Sequence, residues 1–176
     1  YRAHNEIPLS SFPATLLEKR SLIGFSPSWK RNKNVRGGIL ASGTMFADVG
    51  IGTHSYSKIA FAIPADIVTR FRGYVGIDRV AQGGGCARVK VFRGITGGNA
   101  AEAYHSGHLI GINGHTPFDI SDFTKCDRIV LETGFGDQGR PGGADPFDIR
   151  DDVSWIRTML TINVTELQSR AWWGFQ

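Results

Sequence analysis

A histidine behind two glycines, opening onto an alternating apolar run, is the arrangement in this chain best suited to chemistry. Gly50-Ile51-Gly52-Thr53-His54-Ser55-Tyr56-Ser57-Lys58-Ile59 leads into Ala60-Phe61-Ala62-Ile63-Pro64. An imidazole at the entry to a strand can donate to or accept from a sugar hydroxyl without carrying charge, or order the turn through a backbone hydrogen bond; both roles stay open. A sugar also needs an aromatic surface for its C–H face and polar groups at the rim. Trp29, Tyr56, Tyr104, Phe135, Phe147 and Trp155 are candidate rings. Trp29 and Tyr56 lie in loop or turn contexts, where stacking is expected, whereas Trp155 starts a strand and reads as more buried.

The segment 137–152 carries five carboxylates, Asp137, Asp145, Asp148, Asp151 and Asp152. Hard oxygen ligands at irregular spacing suit Ca²⁺, with Asp145 and Asp148 the expected ligands, but the spacing matches no EF-hand, and Arg140 and Arg150 could neutralise the same charges. Asp148 with Asp151 or Asp152 could form a glycosidase pair; the separation that decides such a mechanism is not set by a loop sequence. No Gly-x-Ser-x-Gly, His-Glu-x-x-His or phosphate loop occurs, and His105, His108 and His115 read as solvated loop histidines rather than a metal site. The expectation is a noncatalytic chain.

Two cysteines, Cys86 and Cys126, fit neither a Cys-x-x-Cys redox pair nor a zinc site. They are either small buried hydrophobes or a disulfide closing a loop of about 40 residues, and each stands at the head of an expected strand.

What must position these groups is a β-scaffold. Alternation with period two recurs at 58–63, 70–77, 88–93, 127–133 and 154–164, separated by glycine-rich turns, and 23 glycines in 176 residues fit many short strands. In the last strand Ile156, Thr158, Leu160 and Ile162 should line one face, with Trp155, Arg157, Met159 and Thr161 on the other. The fold class expected is all-β, an antiparallel sandwich, with one domain over residues 1–176, a core from about 7 to 164 and an aromatic tail over 165–176. Ser11 to Lys19 reads as a helical turn or two, with Pro13 in its first turn. The tail, Arg170-Ala171-Trp172-Trp173-Gly174-Phe175-Gln176, should fold back on the sandwich or dock elsewhere.

The formal charge of +4 comes from dispersed side chains apart from Lys30-Arg31-Asn32-Lys33 with Arg36, so no nucleic-acid partner is expected. Apolar runs are too short to span a bilayer. A first residue of Tyr1 points to a processed or excised segment, compatible with a removed secretion signal.

The chain resembles the NPCBM domain family of carbohydrate-binding modules. The resemblance rests on Gly37-Gly38-Ile39-Leu40 through Phe46 to Gly50-Ile51-Gly52-Thr53-His54, then Ser57-Lys58-Ile59, Arg70-Phe71, Val75-Gly76-Ile77-Asp78, the Gly83-Gly84-Gly85 turn before Val89-Lys90-Val91-Phe92, and the closing Trp155. It covers about Ile7 to Val164. The resemblance implies a galactose-binding-domain-like (jelly-roll) sandwich that is secreted, periplasmic or displayed at the cell surface, attached to other domains, and binds glycans, with terminal galactose-type sugars the expected ligand. Arg79 stands where the family tends to have a second acidic residue. Asp152-Val153-Ser154-Trp155 replaces a His-Ala-Asp-Trp pattern, and Arg157 follows where an acidic residue is usual. Those three departures support the alternative of a structural or protein-interaction domain. The expected sugar site comprises His54, Tyr56 and Trp29, with Trp155, Asp152 and Arg150 around them.

Overall fold

The computed structural model describes residues 5–173 apart from 25, 82, 137 and 138. These form fourteen strands in chain order: β1 (Glu6–Pro8), β2 (Ala14–Lys19), β3 (Lys30–Arg31), β4 (Leu40–Ser42), β5 (Met45–Ala47), β6 (Gly50–His54), β7 (Ser57–Ala62), β8 (Val68–Ile77), β9 (Cys86–Gly94), β10 (Ala100–His105), β11 (Leu109–Ile110), β12 (His115–Ser121), β13 (Arg128–Phe135) and β14 (Asp152–Ile162). One sheet runs β12-β8-β14-β6-β3 with β1 also on β14; the other runs β10-β9-β13-β7-β2 with β11 also on β9; β4 and β5 form a hairpin. All pairings are antiparallel, as the alternation predicts, and the two sheets form a β-sandwich. Each of the five expected strands is present, β8, β9 and β14 starting two residues earlier than read from sequence.

Side chains from both layers make one core. Ile51, Phe71, Val75, Trp155 and Leu160 face Ile59, Phe61, Val89, Val91, Ile129 and Leu131, all fully buried. Burial of this apolar surface is the main stabilising contribution. Within the core, Trp155 Nε1 donates to Thr53 Oγ1 at 3.2 Å, and that hydroxyl meets Thr133 Oγ1 of the opposite sheet at 2.7 Å. A buried indole thereby keeps its donor satisfied.

Three expectations are corrected. Residues 14–19 are strand β2, paired with β7, because an edge position beside Ile59 and Phe61 outweighs weak helix signals after Pro13. The faces of β14 are not those of a regular strand. Ile156 pairs with Tyr74 but Met159 pairs with Arg72, so Arg157 and Thr158 together oppose Gly73 in a β-bulge. One extra residue reverses the alternation, so Trp155 and Leu160 share the core while Ile156 packs outside with Leu40 and Ala47.

The cysteines do not bridge; both are free. In the β9–β13 ladder Ala87 faces Phe135 and Gly94 faces Arg128, which puts Cys86 and Cys126 at opposite ends of the pair. Eight residues of strand separate them by roughly 25 Å, far beyond the ~7 Å limit between bridged Cα atoms.

Beyond Ile162 the chain forms helix α1 (Val164–Trp173), starting with Asn163 Oδ1 accepting from Glu166 N at 3.1 Å. The expected strand therefore stops short of Val164. Gly174, Phe175 and Gln176 of the aromatic tail, and Asp137 of the acidic loop, lie outside the described residues. Among the described residues no helix is long and apolar enough to cross a membrane.

Candidate functional site

The Gly-x-Gly-Thr-His segment is strand β6, and its glycines are there because neighbouring backbone leaves no room for a Cβ. At Gly50, with φ +150°, an added methyl would strike the Trp155 carbonyl; at Gly52 it would strike the backbone of Lys33 and Asn34. Close approach of β14 on one side and of the segment after β3 on the other brings three loops to the end of β6. His54 emerges there.

His54 is opposite Asp152 in the β6–β14 register and is itself only 4% exposed. Its Nδ1 lies 2.5 Å from the Ser55 carbonyl, so Nδ1–H donates and Nε2 carries the lone pair in the neutral ring. Burial lowers the His54 pKa, with Asp152 the main opposing influence. Nε2 faces Asp152 Oδ1 at 3.7 Å, and that oxygen has no hydrogen-bond partner. In the neutral ring two acceptors thus face one another, and a proton on Nε2 would pair them.

The acidic loop folds inward around this histidine. Asp152, 1% exposed, accepts from Arg36 Nε at 2.8 Å. Asp151 accepts from Cys86 N and from Ser55 Oγ, each at 2.8 Å, and burial pushes its carboxyl up to about 7. Asp148 Oδ2 accepts from Ser21 Oγ at 2.8 Å and Leu22 N at 3.1 Å, while its Oδ1 is buried without a partner. Asp145 and Arg150 form a bidentate pair at 2.5 and 2.9 Å. Asp145 and Asp148 therefore have separate partners, and among the described residues no three His, Cys, Asp or Glu side chains gather at one point.

Of the expected sugar-contacting residues, Trp155 is completely buried in the core and cannot be a stacking platform. Its place in β14, the central strand of its sheet, with the second sheet packed over it, decides this. His54 and Asp152 are likewise beneath the surface. Tyr56 is nearly buried, with Phe135 at 5.9 Å and the Arg20 guanidinium 4.3 Å above its ring, so its faces are taken. Trp29 packs edge-on against Phe61 at 6.0 Å with Arg31 at 5.2 Å. Arg31 is itself held by the Ser10 and Phe12 carbonyls, so the short basic run is part of the scaffold.

The exposed ring at this end is Phe147, 56% accessible and held at φ +58°. It stands beside Asp148, whose bonds to Ser21 and Leu22 bring the exposed Leu22 and Ile23 to the same end, with Ile149 also exposed. Arg36 is half exposed, paired with Asp152 and in the electrostatic neighbourhood of His54. Sequence reasoning counted Phe147 among the rings without choosing it, and took Arg36 only as part of a basic run. The left-handed backbone that presents Phe147 has no sequence signature.

Asp78, of the Val-Gly-Ile-Asp segment, is a buried hub. Its oxygens accept from Asn34 Nδ2, Ala41 N, Val80 N and Ser154 Oγ. Ser154 supplies Asp78 with a hydroxyl donor. Arg79 lies 4.9 Å above the exposed Phe46 ring.

A family model described as NPCBM/NEW2 domain matches residues 10–161. Among solved structures, that of CBM51-2 and INT domains of Clostridium perfringens ZmpB in complex with GlcNAc superposes with TM-score 0.68 at 20% identity, covering 89% of this chain and 31% of that one. CBM51 from Clostridium perfringens GH95 in complex with methyl-galactose gives TM-score 0.68 at 17% identity, covering 89% and 99%. Tandem CBM51 modules of the family 98 glycoside hydrolase from Streptococcus pneumoniae give 0.65 at 15%, covering 88% and 46%. The chain thus spans about a third of the ZmpB structure. No curated protein matches the chain.

Proposed function

The chain belongs to the NPCBM/NEW2 domain family, and from that premise we propose that it is a noncatalytic carbohydrate-binding module whose glycan sits at the loop end of the sandwich. The observation that carries the reading is an exposed apolar cluster, Phe147, Leu22 and Ile23, at the loop end that also presents the half-exposed Arg36 guanidinium, with His54, Asp148 and Asp152 as the buried scaffold beneath. Sugars present the same division, an apolar C–H face and hydroxyls that each need a partner. Structurally similar modules solved with methyl-galactose and GlcNAc support a neutral hexose. Within that class, galactose-type termini are our choice of ligand. The module would serve as one part of a larger secreted, periplasmic or surface protein.

Binding through one ring and a few hydrogen bonds should give constants of roughly micromolar to millimolar order. A glycan array followed by calorimetry with galactose, fucose and N-acetylgalactosamine tests this. Phe147→Ala should reduce affinity at least tenfold with little change in Tm, since the ring is exposed. Trp29→Ala should act mainly on Tm. Heats unchanged in Phe147→Ala would move the site elsewhere; an array with no positive glycan would replace the reading by a protein-interaction domain, which Arg79 over Phe46 would then serve.

A further inference from the structure

The outer face of the β12-β8-β14 sheet holds a cavity of about 540 Å³, within the usual range for small-ligand sites. It is lined by Arg70, Arg72 and Tyr74 of β8, Pro117 and Asp119 of β12, and Met159 of β14, and closed by Glu6, Asp48 and Arg157. Four of its charged groups are committed to one another. Arg70 forms a bidentate pair with Asp119, and Arg72 another with Glu6 at 2.7 and 2.8 Å. Two are not: among the described residues the Arg157 guanidinium and the Asp48 carboxylate have no hydrogen bond or ion pair.

Arg157 owes its position to the bulge. By strict alternation with Trp155 it would point into the core, where an unpaired guanidinium cannot be accommodated. The extra residue turns it to the surface, at φ +50°. Glycine would take that backbone without strain, and a bulky side chain does not. A strained arginine aimed into a cavity by a bulge is the kind of outlier that marks a site. Its N–H donates to the Val49 carbonyl at 2.8 Å, which joins it to the backbone next to Asp48.

We infer that this cavity is a second sugar subsite that takes one neutral hexose residue through vicinal hydroxyls. Adjacent hydroxyls each donate once and accept, so a carboxylate and a guanidinium lining one cavity, each without a partner among the described residues, supply an acceptor and a donor for such a pair. Tyr74, partly exposed and perpendicular to the His115 ring at 5.4 Å, brings a hydroxyl to the cavity, and Pro117 and Met159 an apolar floor. The two ion pairs are fixed walls that need no rearrangement. The inference rests on the glycan-binding reading above, but on none of its loop-end residues.

Amide resonances of the ¹⁵N-labelled protein, followed while galactose, N-acetylglucosamine, fucose or glucuronic acid is added to tens of millimolar, distinguish the two sites. Gly73 and Met159 should shift saturably with at least one neutral sugar, alongside the shifts of Phe147 and Ile149 at the loop end. Arg157→Gly and Asp48→Asn should each weaken the sheet-face response at least tenfold and leave the loop-end response unchanged, with the Tm of Arg157→Gly equal to or above that of the parent. Shifts confined to the loop end would overturn the second subsite and leave the proposed function standing. Shifts that survive both substitutions, or that only glucuronic acid produces, would also overturn it. No shift at either place would remove both readings.

Discussion

At the residue scale, burial has changed the chemistry of the groups that looked most reactive. Asp151 is pushed up to about 7 chiefly by burial, against two hydrogen bonds that favour its ionised form. Between about pH 4 and 7 the folded protein keeps a proton there that the unfolded chain releases, so this residue's contribution makes stability fall as pH rises through that window. About three pKa units correspond to at most ~4 kcal/mol. His54 works the other way below about pH 6.5, because its lowered pKa makes the folded state release its proton first. Asparagine at 151 can accept from Cys86 N and donate to Ser55 Oγ, reproducing the protonated acid. Asp151→Asn should therefore be close to neutral at pH 4–5 and stabilising at pH 8, by about 1–4 kcal/mol in urea titrations; equal destabilisation at both pH values would show that the acid is ionised throughout. His54→Ala should cost stability whether or not a sugar binds, since the ring fills a buried place between β6 and β14.

At the scale of elements, β6 and β14 do most of the positioning. The two glycines of β6 were visible in the sequence as a turn-like punctuation; that they are needed for backbone approach was not, because the approaching chains come from Lys33 and Trp155, distant in sequence. Gly52→Ala should destabilise by several kcal/mol, or prevent folding, as an overpacked core does, with denaturant midpoints the measurement. Thr53→Val should cost about 1–3 kcal/mol by leaving Trp155 Nε1 without its acceptor. A double variant with Thr133→Val would cost less than the sum of the two single changes if the hydroxyl pair is one unit. The faces of β14 were misread for a single reason: periodicity is a local signal, and the bulge that resets it depends on β8 and the strand end near Val49.

For the whole molecule, the separation of Cys86 from Cys126 across a sheet implies two thiols reacting per chain in denatured, unreduced protein, and a Tm insensitive to reductant. One Tm common to both redox conditions and a count of two would agree; a count of zero would require a different strand register. The alternating runs and their glycine turns determined the all-β class, the five expected strands and the order of the motifs, since strand periodicity and turn chemistry are written in neighbouring residues. Which side chains reach a ligand was decided only by tertiary structure. Trp155, His54 and Asp152 look like binding residues one at a time, and become scaffold once a second sheet and three loops close over them. Phe147 and Arg157 look ordinary in sequence, and are presented to solvent by left-handed backbone that the surrounding chain imposes. Exposure belongs to the packed sandwich, because removing a group from water takes neighbours that are far away along the chain.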